Sequence, residues 1–288
     1  MPGGRLRAPR EFAAVEPEQR DDAEGHRAHR LHRAHRHRAR HRAVAALDPR
    51  PLDALVGLAQ AMPPTRGFAA ALRRGEGLQV ISEIKRRSPS KGDLNPDLDP
   101  AAWAAGYERG GAACLSVLTD EEFFGGSVAD LQAARGACSL PVLRKDFTVS
   151  PHDVCDARLM GADCVLLIAA ALSTDELVSF HGLATMIGLD VLVEIHDERE
   201  LEAALAADAS LIGVNQRDLV TFQVDHERAV RMASVIPDHA VKVAESGVRG
   251  ADDAAALHAA GYHAVLVGET LVTSDDPAAT IGLLRGMR

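Results

Sequence analysis

The sequence lacks any apolar run near the roughly 18 residues that a membrane-spanning helix needs. Its longest runs, Cys164 to Leu172 and Ala264 to Gly268, are half that length or shorter, so no transmembrane helix and no membrane partner are expected. The opening MPGGRLRAPREF has arginines but no apolar stretch behind them; it does not read as a secretory signal, and a cytoplasmic protein is expected. Cysteine is scarce. Cys114, Cys138, Cys155 and Cys164 show no C-x-x-C spacing, and two of them sit in strand-like runs, which argues for buried reduced thiols over a disulfide frame or a cysteine metal site. What remains is a balanced composition: 25% charged and 47% hydrophobic residues, with a mean hydropathy of -0.06. That balance excludes a mostly disordered or collagen-like chain.

Basic charge is also scarce once one segment is set aside. From His26 to Arg42 there are seven Arg, six His and no acidic residue. Removing those seven arginines leaves 25 of the 32 basic residues against 41 acidic ones. An acidic body of this kind does not suit a nucleic-acid-binding domain, whose phosphate contacts need clustered Lys and Arg. Residues 1–43 hold few large apolar side chains, and the His/Arg run has no face to bury, so a disordered tail is expected there. Three readings fit it: a solvated appendage or misassigned start codon, a His cluster for a metal such as nickel or zinc, or an Arg run touching RNA or an acidic surface.

The texture changes from Leu47 onward. A short helical lead-in, Leu52 to Met62, is bracketed by Pro49, Pro51, Pro63 and Pro64. Eight short apolar, mostly β-branched runs follow: Leu78 to Ile84, Ala113 to Leu118, Leu140 to Arg144, Ala162 to Ile168, Asp190 to Ile195, Leu211 to Val214, Val241 to Ala244 and Ala264 to Val267. They read as buried strands. Alanine-striped segments with helical spacing lie between them, at Pro100 to Arg109, Val128 to Ala137, Ser150 to Met160, Ser173 to Ile187, Asp197 to Ala206, Glu227 to Val235 and Gly250 to Ala260. Eight β-then-α units in about 240 residues match a TIM (β/α)₈ barrel in count and size. The expected organisation is therefore a tail over 1–43 and an α/β barrel domain over 44–288. A doubly wound sheet is the other α/β candidate, but its G-x-G-x-x-G fingerprint is missing after the first strand.

A barrel places its chemistry at the C-terminal ends of its strands, and polar residues collect there. The first strand ends in Glu83 and Lys85, two apart and therefore on one side. Lys145-Asp146 follow the third, Glu194 and His196 the fifth, Asn215 and Arg217 the sixth, Glu245-Ser246-Gly247 the seventh, and Gly268-Glu269-Thr270 the eighth. Side chains crowded into a barrel mouth desolvate one another and must be paired or used. Two lysines and an arginine among carboxylates suit an anionic substrate that needs proton transfers in both directions. No Cys or Ser nucleophile stands beside a His, the body shows no ligand-spaced metal set, and His196 reads as structural. The glycine turns at Ser246-Gly247 and Gly268 follow the two strands whose loops commonly hold phosphate in this fold, with Glu269 expected to turn its side chain away.

Several blocks then carry a resemblance to a family: Glu83-Ile-Lys-Arg-Arg-Ser-Pro-Ser-Lys-Gly92, Leu118-Thr-Asp with Phe123-Phe-Gly-Gly-Ser127, Leu143-Arg-Lys-Asp-Phe147, Gly161-Ala-Asp-Cys-Val-Leu-Leu-Ile168, Val193-Glu-Ile-His196, Gly213-Val-Asn-Gln-Arg-Asp-Leu219 and Ala244-Glu-Ser-Gly247. In content and order they resemble indole-3-glycerol phosphate synthase, from about Leu52 to the C-terminus. The resemblance implies a carboxy-lyase of tryptophan biosynthesis that closes 1-(2-carboxyphenylamino)-1-deoxy-D-ribulose 5-phosphate to indole-3-glycerol phosphate, with loss of CO₂ and water. It implies no cofactor, no metal, a phosphorylated small-molecule substrate and a monomer. By the same resemblance Lys145 is the general acid at the ketone oxygen and Glu194 a base or acid in the dehydration, while Glu83 and Asn215 orient groups around the developing charge. Lys85 is left with three roles: holding the anthranilate carboxylate, contacting phosphate or acting as a second acid. Arg217 faces the carboxylate region, Ser246, Gly247 and Gly268 the phosphate, and Ser88 opens the loop after the first strand. Two features depart from the family: the register of its covering helix is partly taken by the His/Arg run, and Gln216 stands where Asn or Ser is commoner.

Other phosphate-binding barrels, phosphoribosylanthranilate isomerase and the tryptophan synthase α subunit, fit the set Glu83, Lys85, Lys145 and Glu194 poorly. A non-catalytic barrel with a binding tail is disfavoured by the intact acid and base positions.

Overall fold

A computed structural model describes residues 39–89, 91–218 and 223–287 of the chain. The expected disordered tail therefore lies, over 1–38, outside the described residues, whereas residues 39–45 are helical. The first helices are α1 (Leu52–Gln60) and α2 (Phe68–Arg74). Eight parallel strands form the centre: β1 (Gln79–Ile84), β2 (Cys114–Leu118), β3 (Val142–Lys145), β4 (Cys164–Ile168), β5 (Asp190–Ile195), β6 (Leu211–Asn215), β7 (Val241–Glu245) and β8 (Ala264–Val267). Each pairs with its sequence neighbours and β1 closes on β8, a closed (β/α)₈ barrel. Crossover helices α3 (Pro100–Arg109), α4 (Glu121–Phe124), α5 (Val128–Ala137), α6 (Pro151–Leu159), α7 (Thr174–Met186), α8 (Glu198–Ala206), α9 (Arg228–Ala233), α10 (Ala251–Ala259), α11 (Glu269–Val272) and α12 (Pro277–Leu284) lie between and after the strands.

Local chemistry sets most helix starts. Asp99, Asp120, Ser127, Ser150, Asp197 and Asp276 each accept a backbone N–H from the first helical turn, and Ser173 with Glu176 makes a reciprocal capping box. Each cap satisfies a donor that the helix itself leaves open. The expected third strand, Leu140 to Arg144, starts two residues later because Pro141 has no N–H to give the ladder; its carbonyl instead accepts from Leu115 N.

The period of two divides every strand between two apolar layers. Val80, Val117, Val142, Val165, Val193, Ile212, Ala244 and Val265 face the helices. Ile81, Cys114, Leu143, Cys164, Leu166, Leu192, Leu211, Val243 and Leu266 face inward and fill the barrel. Cys114 and Cys164 are buried there as free thiols, and Cys138 and Cys155 are free as well. α2 plugs the bottom: Phe68 is fully buried among the inward residues, and the plug is pinned by Arg66 N donating to Asp163 (2.8 Å) and Ala69 N to Asp190 (2.9 Å). A floor of this kind leaves the C-terminal end of the barrel as its open mouth.

Phe68→Ala opens a cavity beneath the barrel interior and is expected to cost about 3–5 kcal/mol. Urea denaturation measures it, and a loss below about 1 kcal/mol would show that α2 is not a structural floor.

Candidate active site

Above the apolar inward layer, the next inward-facing positions are Glu83, Lys145, Glu194, Asn215 and Glu245. Each lies two residues beyond an inward apolar residue or glycine of its own strand: Ile81, Leu143, Leu192, Gly213 and Val243. The parity that buries a leucine lower down aims a charged group into the mouth higher up. They line a cavity of about 530 Å³, together with Lys85, Ser88, Phe123, Phe147, Leu166, Arg217, Ser246, Gly247 and Gly268. All ten residues expected from the sequence are thus brought to one cavity.

Lys145 sits in the middle. Its Nζ is 3.3 Å from Glu194 Oε2 and 3.6 Å from Glu245 Oε2, and Asn215 Nδ2 donates to Glu194 Oε1 at 3.1 Å. Lys85 pairs with Glu83. Burial works against the ammonium of Lys145, but Glu194, Glu245 and Glu83 together hold its pKa above the ordinary lysine value. Burial also pushes up the Glu194 carboxyl; there Lys145, His196 and the Asn215 hydrogen bond prevail, and its pKa falls below the ordinary carboxylate value. Glu245 goes the other way. Burial, helped by the neighbouring charges of Glu194 and Glu83, overrides Lys145 and pushes its pKa up to about 8. Two carboxyls on one lysine therefore rest in different states at neutral pH, one ionised and one protonated.

Two glycines make room for these carboxyls. A methyl group on Gly213 would overlap Glu245 Oε1, and one on Gly268 would overlap Glu83 Oε1. A side chain at either position would force the neighbouring carboxyl to move.

The rim differs from side to side. Ser246 (φ 65°) and Gly247 (φ 74°) are two consecutive left-handed residues after β7, and Gln216 Nε2 donates to the Ser246 carbonyl at 2.7 Å, fixing that turn. The Gln216 side chain, a departure at sequence level, so supports the loop. Arg217 follows Asn215, whose Oδ1 accepts its backbone N–H at 3.0 Å. Ser88 Oγ accepts Lys91 N at 3.2 Å, and Lys91 reaches across to Glu269, which accounts for where that carboxylate goes. His196 stands behind Glu194 and bonds Glu200 at 3.0 Å through Nδ1. Glu245, a strand-end polar residue in the sequence, joins the expected site residues in the cavity; its inward parity is the sequence signal for it. Phe123, Phe147 and Leu166, the apolar wall suited to an aromatic ring, carried no polar signal at all.

The sequence comparisons agree on one family. The family model described as indole-3-glycerol phosphate synthase matches residues 34–284. The chain is similar to an indole-3-glycerol phosphate synthase of Streptomyces griseus subsp. griseus, 54% identical over 230 residues, 80% of this chain and 85% of that protein. It is also similar to an indole-3-glycerol phosphate synthase 2 of Streptomyces coelicolor, 52% identical over 232 residues, covering 81% and 90%. Among solved structures, a thiamine phosphate pyrophosphorylase from Pyrococcus furiosus shares the fold at 16% identity, with a TM-score of 0.56 over 73% of this chain and 95% of that one.

Glu245 stays protonated in the folded chain up to about pH 8 but ionises at its ordinary, lower pKa once unfolded. The stability this carboxyl contributes is therefore complete below the ordinary carboxyl range and is lost as pH rises toward its folded pKa. Glu245→Gln abolishes the titration. Relative to the unsubstituted chain, its thermal stability is expected to increase from about pH 5 to about pH 8, by up to roughly 1.4 kcal/mol per pH unit. Melting temperatures that differ by the same amount at both pH values would contradict the assignment.

Proposed function

The chain belongs to the indole-3-glycerol phosphate synthase family, lyases of tryptophan biosynthesis acting on a small phosphorylated substrate, and from that premise we propose how its own side chains divide the reaction. The substrate is 1-(2-carboxyphenylamino)-1-deoxy-D-ribulose 5-phosphate. Its anthranilate ring lies against Phe123, Phe147 and Leu166, and its phosphate against the turns at Ser246-Gly247 and Gly268. Arg217 holds the carboxylate, and Ser88 steadies the loop after β1.

Lys145 is the general acid of ring closure. As the carboxyl-bearing ring carbon attacks the ketone carbon, the ketone oxygen gains charge and takes a proton from Nζ. The charges of Glu194 and Glu83 keep that amine protonated at rest, so the proton is in place before the substrate arrives. Closure leaves a cationic ring system that accepts the electron pair of the departing carboxylate, and the loss of CO₂ needs no separate base. In the dehydration the hydroxyl takes a proton from Lys145, recharged from solvent after ring closure, and leaves as water, while Glu194, ionised and oriented by Asn215, takes the ring proton. Glu83 fixes Lys85. The Lys85 ammonium lies beside Gly268, where a methyl group would come within 3.0 Å of Nζ; of the roles open to it, phosphate binding is the one this placement favours.

The catalytic unit is residues 44–288, with residues 1–43 ahead of it. We place the protein in the cytoplasm as a monomer that binds neither membrane nor nucleic acid. Four free thiols support that placement, and no helix among the described residues is long and apolar enough to cross a membrane.

The buried Lys145–Glu194 contact inside an acid-lined mouth carries the reading. Following indole-3-glycerol phosphate formation by its fluorescence, Lys145→Met is expected to lower kcat about 10²- to 10⁴-fold with the circular dichroism spectrum unchanged. Lys85→Met is expected to act mainly on KM. Near-normal turnover in Lys145→Met, or a kcat collapse at normal KM in Lys85→Met, would overturn this division of roles.

A further inference from the structure

The sequence shows no ligand-spaced metal set in the body, but the fold assembles one at the edge of the mouth from three distant positions. His41 belongs to helical residues 39–45, Asp120 caps α4 after β2, and Asp146 follows β3. His41 Nε2 lies 3.1 Å from Asp120 Oδ2 and 4.0 Å from Asp146 Oδ1, and one ligand atom from each residue falls within a 4.8 Å group. We propose that His41, Asp120 and Asp146 form a binding site for a divalent transition metal, with Zn²⁺ as its best match.

Three features favour a metal. The first is spacing: ligand atoms about 2.1 Å from one tetrahedral ion stand about 3.4 Å apart, and the two distances from Nε2, 3.1 Å and 4.0 Å, lie either side of that value. The second is orientation. Asp120 Oδ1 accepts Phe123 N at 2.7 Å, which leaves Oδ2 turned to His41. Asp146 Oδ2 accepts from Thr119 Oγ1 (2.6 Å) and Arg144 (3.1 Å), and its Oδ1 accepts Phe147 N (2.8 Å) while facing His41. Carboxylates held this way behave as metal ligands do when outer hydrogen bonds fix their direction. The third is burial: the side chains of Asp120 and Asp146 are each 6% exposed and that of His41 21%, so an ion there would meet ligands already withdrawn from water, with Arg144 as the counter-charge on Asp146. One imidazole with two carboxylates is a donor set for Zn²⁺ or its neighbours and not for a copper(I) or iron–sulfur centre.

The site ties parts of the structure that no strand joins. Helical residues 39–45 already reach the barrel through Arg40 to Glu122 and Arg42 to Glu176 (2.7 Å). The His41 ring packs on Phe147, centroids 5.6 Å apart, and Phe147 is a wall of the catalytic cavity. A bound ion would strap this helix over the mouth with one aromatic ring between it and the substrate. The site stands independently of the reaction assigned to the cavity.

The upstream histidines His26, His29, His32, His35 and His37 would bind zinc on their own, so the test replaces all five with alanine in the full chain and keeps His41. After chelator treatment and dialysis, ZnCl₂ is titrated by calorimetry, and Co²⁺ is added separately to read ligand-field absorbance. One Zn²⁺ per chain is expected, with affinity reduced at least about tenfold by His41→Ala and by Asp120→Asn, the scale on which even outer-shell changes weaken metal sites. Asp120→Asn keeps an acceptor for Phe123 N, and thermal melts confirm that both variants fold. Absence of stoichiometric binding in the five-alanine chain, or binding that either substitution leaves intact, would overturn the site.

Discussion

The rest of the structure is organised around a single buried ammonium. Lys145 lies within 3.6 Å of two carboxyls, Glu194 and Glu245, whose side chains are almost wholly inaccessible. Moving any one of these charges out of water alone would cost several kcal/mol. The group is tolerable only because its members compensate one another and one of them, Glu245, takes up a proton. The fold supplies that closeness. Parallel pairing sets Asn215 beside Glu245 and Glu194 beside Gly213, and the two glycines that touch Glu245 and Glu83 are the positions where a Cβ would push the carboxyls apart. Below them, the apolar inward layer and the α2 floor keep water from reaching the charges from beneath.

The same arrangement serves the chemistry. A lysine kept charged by its neighbours has its proton ready for a developing oxyanion, and an ionised glutamate on its other side can receive one later. Acid and base are built from groups that would otherwise resemble each other, separated by burial and by which oxygen faces which partner. Phe147 after β3, Leu166 of β4 and Phe123 of α4 form an apolar wall of the same cavity, the one against which the proposed reading sets the substrate's aromatic ring. In the same reading the left-handed turn after β7 offers backbone for phosphate.

Much of this was legible in the sequence because a barrel strand has a period of two and a fixed polarity. Eight β-branched runs separated by helical spacing gave the closed sheet, and the polar residues at six of the eight strand ends gave the mouth. Glu245 marks the limit. Its position at a strand end was visible, but its membership in the charge layer depends on the register of β6, β7 and β8, a long-range fact that no local pattern carries. α2 escaped because seven residues, about two turns, fall short of the roughly 11-residue window in which helical spacing shows, and its value comes from Asp163 and Asp190, far away in sequence. Residues 39–43 read as part of a low-complexity run for the same reason. Their helix meets the barrel through His41 and Arg42, whose partners lie 79 and 134 positions on.

The most direct test of the central claim is a titration of the carboxyl groups themselves. With ¹³C-labelled glutamate, assigned by Glu245→Gln and Glu194→Gln, the side-chain carboxyl signal of Glu245 should titrate at about 8 while that of Glu194 titrates below the ordinary carboxylate range. Two signals moving together in the ordinary carboxyl range would contradict it, because Lys145 would then sit in a wet, screened mouth with no reason to separate the acid from the base.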